Sequence, residues 1–319
     1  MNSVSVEVDV VDPSQVGEAR RVVQRLANAA GIASDTQSNA SIVATELATN
    51  LVIHAQGGKL IVRCDDRAVE LLAIDRGQGM HVDRCLEDGY STSGTAGNGL
   101  GAVRRLSSQF DAFSSGQGSV LWARVGQRQP CSAIGAVCLP YPGETSCGDD
   151  WKVVQHDAGW DALVVDGLGH GLLAAEAAHL ATSASLDDSP TQVLRKAHTR
   201  MAGSRGAAAA SVRYSRTRGA LDFASVGNIC ATIVTATGAR GLPAQNGTLA
   251  AHLPTRINES TFEAAPSSKV VLHTDGIKAR WSLAAYPGLW SRHPAVIAGL
   301  LARDFRRDRD DASVLVLEC

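Results

Sequence analysis

The sequence predicts an α+β protein of two domains, and three observations carry that expectation. At 319 residues and 45 % hydrophobic content the chain can fill two buried cores. Segments with helical apolar spacing are interspersed with short runs of strand-like alternation. A polar, proline-containing stretch, GQRQPCS at 126–132, reads as a linker and gives domains at 1–127 and 131–319.

The elements follow in order. The N-terminus, MNSVSVEVDVVDP, alternates like a strand. From Ser14 to Ala30, Val16, Ala19, Val22, Val23, Leu26 and Ala30 fall at helical spacing, with Ser14 as N-cap and Gly31 as stop. Residues 38–55 repeat the pattern. After Gly57-Gly58, KLIVRCD and AVELLAIDRG read as paired strands, AVRRLSSQF as a helical run, and SVLWARV at 119–125 as the strand that closes this half. Beyond the linker come the strand signals WKVVQHD, DALVVDG, ALDFASVG, CATIVTA, KVVLHTDG and ASVLVLEC. Helices are expected at 171–185, at 190–203 and near 293–303.

Composition removes several function classes. The chain has no run of 18 apolar residues and no signal-peptide pattern, so neither a membrane span nor export is expected. Seven cysteines, odd in number and without a CxxC pair, suggest neither a disulfide framework nor a zinc site, and a reducing cytoplasm is the expected compartment. A net charge of −2 with 4 % aromatic residues argues against nucleic acid as a partner.

The first group of candidate residues lies between 46 and 101. In ELATNLVIHA, Glu46, Asn50 and His54 recur every four residues and share one side of a helix. In IDRGQG, Asp75 ends a strand, and Gly77 and Gly79 occupy the turn, where a backbone must come close to something flat. GNGLG, Gly97 to Gly101, stands before a helix, whose free N–H groups suit a phosphate. Singly these residues read as a solvated helix face, a turn former and a flexible loop; their joint order is the signal.

That order resembles the Bergerat-fold ATP-binding family, which includes anti-sigma-factor serine kinases, histidine kinases and gyrases. ELATNLVIHA looks like its N box, DRGQG like its DxGxG box and GNGLG like its second glycine box. The match is closest to the RsbT-type branch of serine kinases, through DGYSTSG and GNGLGAVRRLSSQFDAFSSGQGS. The resemblance implies an α/β sandwich, a mixed sheet with helices on one face. It implies that Asn50 holds the Mg²⁺ of Mg-ATP, that Glu46 is general base toward an acceptor serine, and that Asp75 accepts from the adenine amino group. Gly77 and Gly79 would permit that approach, while Gly97, Asn98, Gly99, Leu100 and Gly101 wrap the phosphates. His54 is read as structural.

The second group is acidic. Asp149 in CGDDW, Asp166 in VVDGLGHG, Asp275 in HTDGI and Asp310 in RDDAS each stand at a strand end or tight turn. An inward carboxylate there is costly without a partner, and several of them make an all-oxygen site for Mg²⁺ or Mn²⁺ rather than zinc. Asp150 and Asp311 adjoin two of these and are alternative ligands. With ASVGNI and DDASVLVLE, the region resembles the SpoIIE-type, metal-dependent PPM protein serine/threonine phosphatases, an α-β-β-α sandwich. ASVGNI and QNGT look most like the RsbX branch, where other members carry Gly-His at Gly227-Asn228. The resemblance implies that Asp166 bridges two Mn²⁺ or Mg²⁺ ions with help from the Gly167 carbonyl. Asp275 and Asp310 would complete one ion and Asp149 the other, with His170 at phosphate or a metal-bound water.

In the resembled families both activities converge on STAS-domain proteins, anti-sigma antagonists or stressosome components. A sigma factor or a downstream phosphatase is the further partner implied. The expectation is therefore a bifunctional regulator that phosphorylates a STAS protein with Mg-ATP and removes phosphate with two metal ions. The alternative is a phosphatase whose N-terminal domain binds ATP and partner without kinase activity.

Overall fold

The computed structural model describes residues 4–82, 99–129 and 133–319. It divides into two compact units, Met1–Gln129 with Ser291–Arg303, and Pro130–Trp290 with Asp304–Cys319. The expected second domain held everything beyond 131; Ser291–Arg303 belongs instead with the first unit.

In that unit β1 (Val6–Val10) leads into α1 (Pro13–Ala29). The cap of α1 is Asp12, not Ser14. Its carboxylate accepts from the Ser14 N–H at 2.8 Å, Gln15 Oε1 accepts from the Asp12 N–H at 3.1 Å, and Pro13 takes the first helical position, where no N–H is needed. α2 (Ser34–Ala55) begins before the expected residue 38 and ends where Gln56 turns left-handed at φ 58°. β2 (Gly58–Cys64), β3 (Ala68–Ile74), α3 (Gly99–Leu106), β4 (Gln109–Ser115) and β5 (Gly118–Gly126) follow. Gln109 and Phe110 open β4 rather than closing a helix. Ser107 Oγ bonds back to the Val103 carbonyl at 2.6 Å, and Ser108 Oγ crosses to the Arg124 carbonyl at 3.0 Å, which ends α3 and starts pairing with β5.

The strands lie in the order β1-β2-β3-β5-β4, and every pairing among the described residues is antiparallel, where a mixed sheet is expected from the resemblance. Val69, Leu71 and Ala73 of β3 join the core beneath α1 and α2 with Leu47, Leu51 and Val103.

The second unit contains β6 (Ile134–Leu139), β7 (Asp149–His156), β8 (Gly159–Gly167), α4 (Leu172–Thr182), α5 (Pro190–Arg200), β9 (Ala207–Ser215) and β10 (Ala220–Val226). β11 (Cys230–Thr235), β12 (Gly238–Gly241), β13 (Glu259–Glu263) and β14 (Lys269–His273) continue it. After an excursion that includes α6 (Pro294–Phe305), β15 (Ala312–Glu318) closes the fold. Two antiparallel five-stranded sheets result, β13-β10-β9-β8-β7 and β12-β11-β14-β15-β6. Leu163 and Val165 of β8 face α4 and α5 through Ala177, Ala181 and Leu194. On β8's opposite face, Trp160 Nε1 donates to the Glu318 carbonyl of β15 at 3.0 Å and ties one sheet to the other. β4, β6, β12 and β13 are strands that the sequence reading did not resolve.

Every residue of β3 is buried, which requires cover on both faces of its sheet. α6 supplies the second cover up to Arg303, so helices lie on both faces of the first sheet rather than one. A Cβ at Gly299 would fall 2.7 Å from Leu72 Cδ2 and 3.0 Å from Val120 Cγ1, so the helix and the sheet touch where the side chain is missing. The Trp122 ring stacks on His293 at 3.8 Å. Farther along, Glu70 is buried between Arg63 and Arg124, at 2.5 and 2.7 Å. Burial raises the Glu70 pKa, but the two guanidiniums outweigh it and hold the carboxyl below its usual range. Among the described residues no helix is long and apolar enough to cross a membrane.

Candidate functional site

Two groups of side chains answer to the two sequence constellations, one in each unit. In the first, α2 presents Glu46 and Asn50 half-buried on one face, as their spacing requires. A Cβ on Gly99, the first residue of α3, would stand 3.0 Å from Glu46 Oε2 and 3.8 Å from Asn50 Oδ1, so the glycine end of α3 meets both. Among the described residues Asn50 Nδ2 is buried with no hydrogen-bond partner. A buried amide in that condition fits a polar ligand.

Asp75 leaves β3 only 4 % exposed, and its Oδ1 accepts the Gly77 N–H at 2.8 Å and the Ser119 N–H at 3.2 Å. Its side chain lines a pocket with Asn50, His54, Gly79, Met80 and Ser119. The protein's own packing already requires both glycines. Gly77 packs on Ala55, with a Cβ due 3.0 Å from its Cα, and Gly79, at φ 78°, would place a Cβ 2.1 Å from the Ser115 carbonyl oxygen. His54, read as structural, is exposed on the pocket wall. Leu100 and Gly101 are buried in the first turn of α3. Gly97 and Asn98 lie outside the described residues.

The second group is assembled by strand register. β7 and β8 place Asp149 directly beside Asp166. β14 and β15 pair so that Asp275 and the Asp310-Asp311 pair come to neighbouring ends, the Thr274 N–H reaching the Ser313 carbonyl at 3.1 Å. Thr274 Oγ1 then donates to Asp149 Oδ2 at 2.7 Å, which joins the two sheets at the site. Asp149 Oδ1 and Asp311 Oδ2 are buried without a hydrogen-bond partner among the described residues. Gly167 is needed because a Cβ there would lie 2.3 Å from the Ala174 carbonyl oxygen.

The carboxylates act on one another electrostatically. Burial, then the charge of Asp166, pushes the Asp149 pKa well up. Burial, followed by Asp275, Asp310 and Asp311, raises Asp166 to about 7. Burial and Asp275 raise Asp310, and burial raises Asp311 against the N–H groups of Tyr141 and Gly148. Such repulsion favours either shared protons or a cation. Among the described residues no three His, Cys, Asp or Glu side chains already form a group that could hold a metal ion. The residues nevertheless fit divalent cations in their chemistry: donors are all oxygen, negative charge is concentrated, and two buried carboxylate oxygens, Asp149 Oδ1 and Asp311 Oδ2, are orphaned among the described residues.

β7 separates the alternatives that sequence leaves open there. Asp150 points away from Asp166, its Oδ1 accepting the Trp151 N–H at 2.8 Å and its carboxylate meeting Thr182 and His179. Asp311 stays within the cluster, accepting the Tyr141 N–H at 2.7 Å. His170 stacks on Tyr141 at 4.6 Å and approaches Glu144 at 3.2 Å. Two neighbours were not singled out as site residues. Thr274 precedes Asp275 and could have been suspected; Asn228, marked only as a branch difference, donates to Asp275 Oδ2 at 3.0 Å.

Residues 10–125 match the family described as histidine kinase-like ATPase domain, and residues 156–319, half of the chain, match stage II sporulation protein E (SpoIIE). The serine/threonine-protein kinase RsbT of Bacillus subtilis (strain 168) is 32 % identical over 126 residues, 38 % of this chain and 90 % of that protein. A structure from work on the bacterial stressosome, a modular system adapted to control secondary messenger signaling, is 27 % identical at a TM-score of 0.56. It covers 59 % of this chain and all of that one. RsbX crystallised with magnesium shares the fold of the second unit, at 22 % identity, a TM-score of 0.51, 60 % of this chain and 98 % of that one.

Proposed function

The chain belongs to the SpoIIE family through its C-terminal half and to the RsbT-type kinases through its N-terminal part, and from that premise we propose a bifunctional regulator of a STAS-domain protein. Its N-terminal domain, 1–127 with Ser291–Arg303 joined to it, phosphorylates a serine or threonine of that protein with Mg-ATP, and its C-terminal domain, the remainder of 131–319, removes the phosphate. The observation that carries this reading is the gathering of Asp149, Asp166, Asp275, Asp310 and Asp311, where burial and neighbouring carboxylates push Asp149 and Asp166 up and two buried oxygens, Asp149 Oδ1 and Asp311 Oδ2, have no hydrogen-bond partner among the described residues. Asp166 would bridge two Mn²⁺ or Mg²⁺ ions with the Gly167 carbonyl, Asp275 and Asp310 would hold one and Asp149 the other. When bound, such ions supply an activated water and neutralise phosphoryl charge. Thr274 orients Asp149, Asn228 orients Asp275, and Asp311 contributes charge.

In the kinase half, Glu46 is the general base toward the acceptor hydroxyl and Asn50 the oxygen ligand for the Mg²⁺ of ATP. Asp75 receives the adenine amino group, Gly77 and Gly79 permit its approach, and Gly97, Asn98, Gly99, Leu100 and Gly101 hold the phosphates at a helix N-terminus. His54 lines the nucleotide pocket. A sigma factor or a downstream phosphatase is the further partner, and the cytoplasm is the compartment.

The test is mass spectrometry of a STAS protein incubated with the chain, once with ATP and once prephosphorylated with Mn²⁺. Phosphate gain that needs Glu46 and phosphate loss that needs Asp166 are expected. Loss without gain would leave the second reading, a phosphatase whose N-terminal domain binds ATP and partner only. Neither gain nor loss would refute both.

A further inference from the structure

β8 ends on Asp166 and Gly167, and the loop that leaves it runs through Leu168, Gly169 and His170. Opposite it stands the segment that enters β9. The register pairs Asp166 with Ala208 and Gly167 with Ala207, and the ladder continues one step, from the Leu168 N–H to the Gly206 carbonyl at 2.9 Å. The next residue on that side is Arg205. Its Nη1 lies 3.1 Å from the point a Cβ on Gly169 would occupy, and Gly169 has a φ of 86°. A side chain at Gly169 would crowd the guanidinium, and glycine leaves it room.

Arg205 is exposed, and among the described residues it makes no hydrogen bond or ion pair. That is unusual beside an acidic cluster. A guanidinium recruited only to neutralise carboxylates would be paired with one, as Arg213 is with Asp161 at 2.6 Å and Arg124 with Glu70 at 2.7 Å. Arg205 instead waits three ladder steps beyond the partner of Asp166, about 10 Å along the strand at roughly 3.3 Å per residue. A phosphoryl group seated over Asp166 would fall between them. The planar fork of arginine suits two oxygens of a phosphate, and its charge does not titrate away.

We propose that Arg205 binds the phosphoryl oxygens of the phosphoserine or phosphothreonine substrate, opposite the carboxylate cluster. This rests on the phosphatase reading above. The rim around it suits a protein substrate: Leu168, Leu172 and Leu173 are 47 %, 63 % and 52 % exposed on the same loop and the first turn of α4. Exposed leucines so close together are a contact surface for apolar protein side chains.

The experiment measures hydrolysis of p-nitrophenyl phosphate by the full chain with Mn²⁺, and its inhibition by inorganic phosphate. Arg205→Ala raises KM for the ester and Ki for phosphate together, by about tenfold, with kcat within about twofold. Arg205→Lys restores part of both, and the melting temperature is unchanged because the residue is exposed. Unaltered KM and Ki in Arg205→Ala would overturn the assignment, and so would a rise in KM confined to a phosphoprotein, which would mark a protein contact instead. Asp166→Ala in parallel separates the two readings: activity surviving that change refutes the parent phosphatase assignment, whatever Arg205 does.

Discussion

Asp75 and Asp166 end buried strands in the two units, and each is followed within two residues by a glycine that no larger residue could replace without displacing a neighbour. Their surroundings differ in kind. One oxygen of Asp75 is satisfied by two backbone N–H groups from Gly77 and Ser119, and among the described residues no ion pair or carboxylate hydrogen bond involves it. Asp166 faces Asp275, Asp310 and Asp311, and its pKa rises to about 7. A strand-end aspartate is thus a fixed hydrogen-bond acceptor in one unit and a site of unresolved charge in the other. Chemistry is decided by what the register brings alongside, not by the dipeptide.

The comparison is broken most forcefully by removing charge without changing shape. Asp166→Asn relieves repulsion, so phosphatase activity falls by about a thousandfold while the second unit's thermal stability without metal holds or rises. Asp75→Asn keeps an oxygen for the two N–H groups, so the first unit stays folded and only nucleotide affinity drops. Activity assays, calorimetry and nucleotide titration of both variants check this pair, and a destabilised Asp166→Asn would contradict it.

The next effect concerns a charge cluster that is satisfied. Glu70→Ala leaves two buried guanidiniums without their shared partner and destabilises the first unit by about 3–5 kcal/mol. Because the folded pKa of Glu70 is depressed, its contribution is full above the unfolded carboxylate value of about 4.3 and is lost as pH falls through the lower folded value. Wild-type and variant unfolding curves should therefore approach each other in acid and diverge toward neutrality. A gap that widened in acid would reverse the sign of the argument.

A smaller loss is expected at Gly299, where α6 meets Leu72 and Val120. Gly299→Val forces branched methyls into contacts already closed to a single Cβ and costs the first unit about 2 kcal/mol. Chemical denaturation followed by Trp122 fluorescence reads this, and an unshifted midpoint would remove α6 from the first unit. Smallest is Asn228→Ala, which frees Asp275 and weakens Mn²⁺ affinity by about tenfold, measurable by titration.

Locally encoded features were legible. Glu46 and Asn50 share a face because helix period dictates it, and Gly99 opens a helix because nothing after it interrupts helical spacing. The Asp-Gly pairs at 166 and 275 mark strand ends by turn chemistry alone. What escaped depends on partners distant in sequence. Whether Asp149 or Asp150 faces Asp166 is fixed by the β7–β8 register, since neighbouring residues point to opposite sides of a strand. Thr274 reaches Asp149 across 125 positions, and Asn228 reaches Asp275 across 47. The helical pattern near 293–303 announces an apolar helix but not the sheet it covers.

The central claim, that the aspartates form one cation site, is tested most directly by equilibrium binding of Mn²⁺ to the nucleotide-free full chain, followed by electron paramagnetic resonance or calorimetry. Two bound ions are predicted for the wild type, with binding lost in Asp166→Ala and kept in Asp150→Ala. Mn²⁺ bound equally well by wild type and Asp166→Ala would contradict the account.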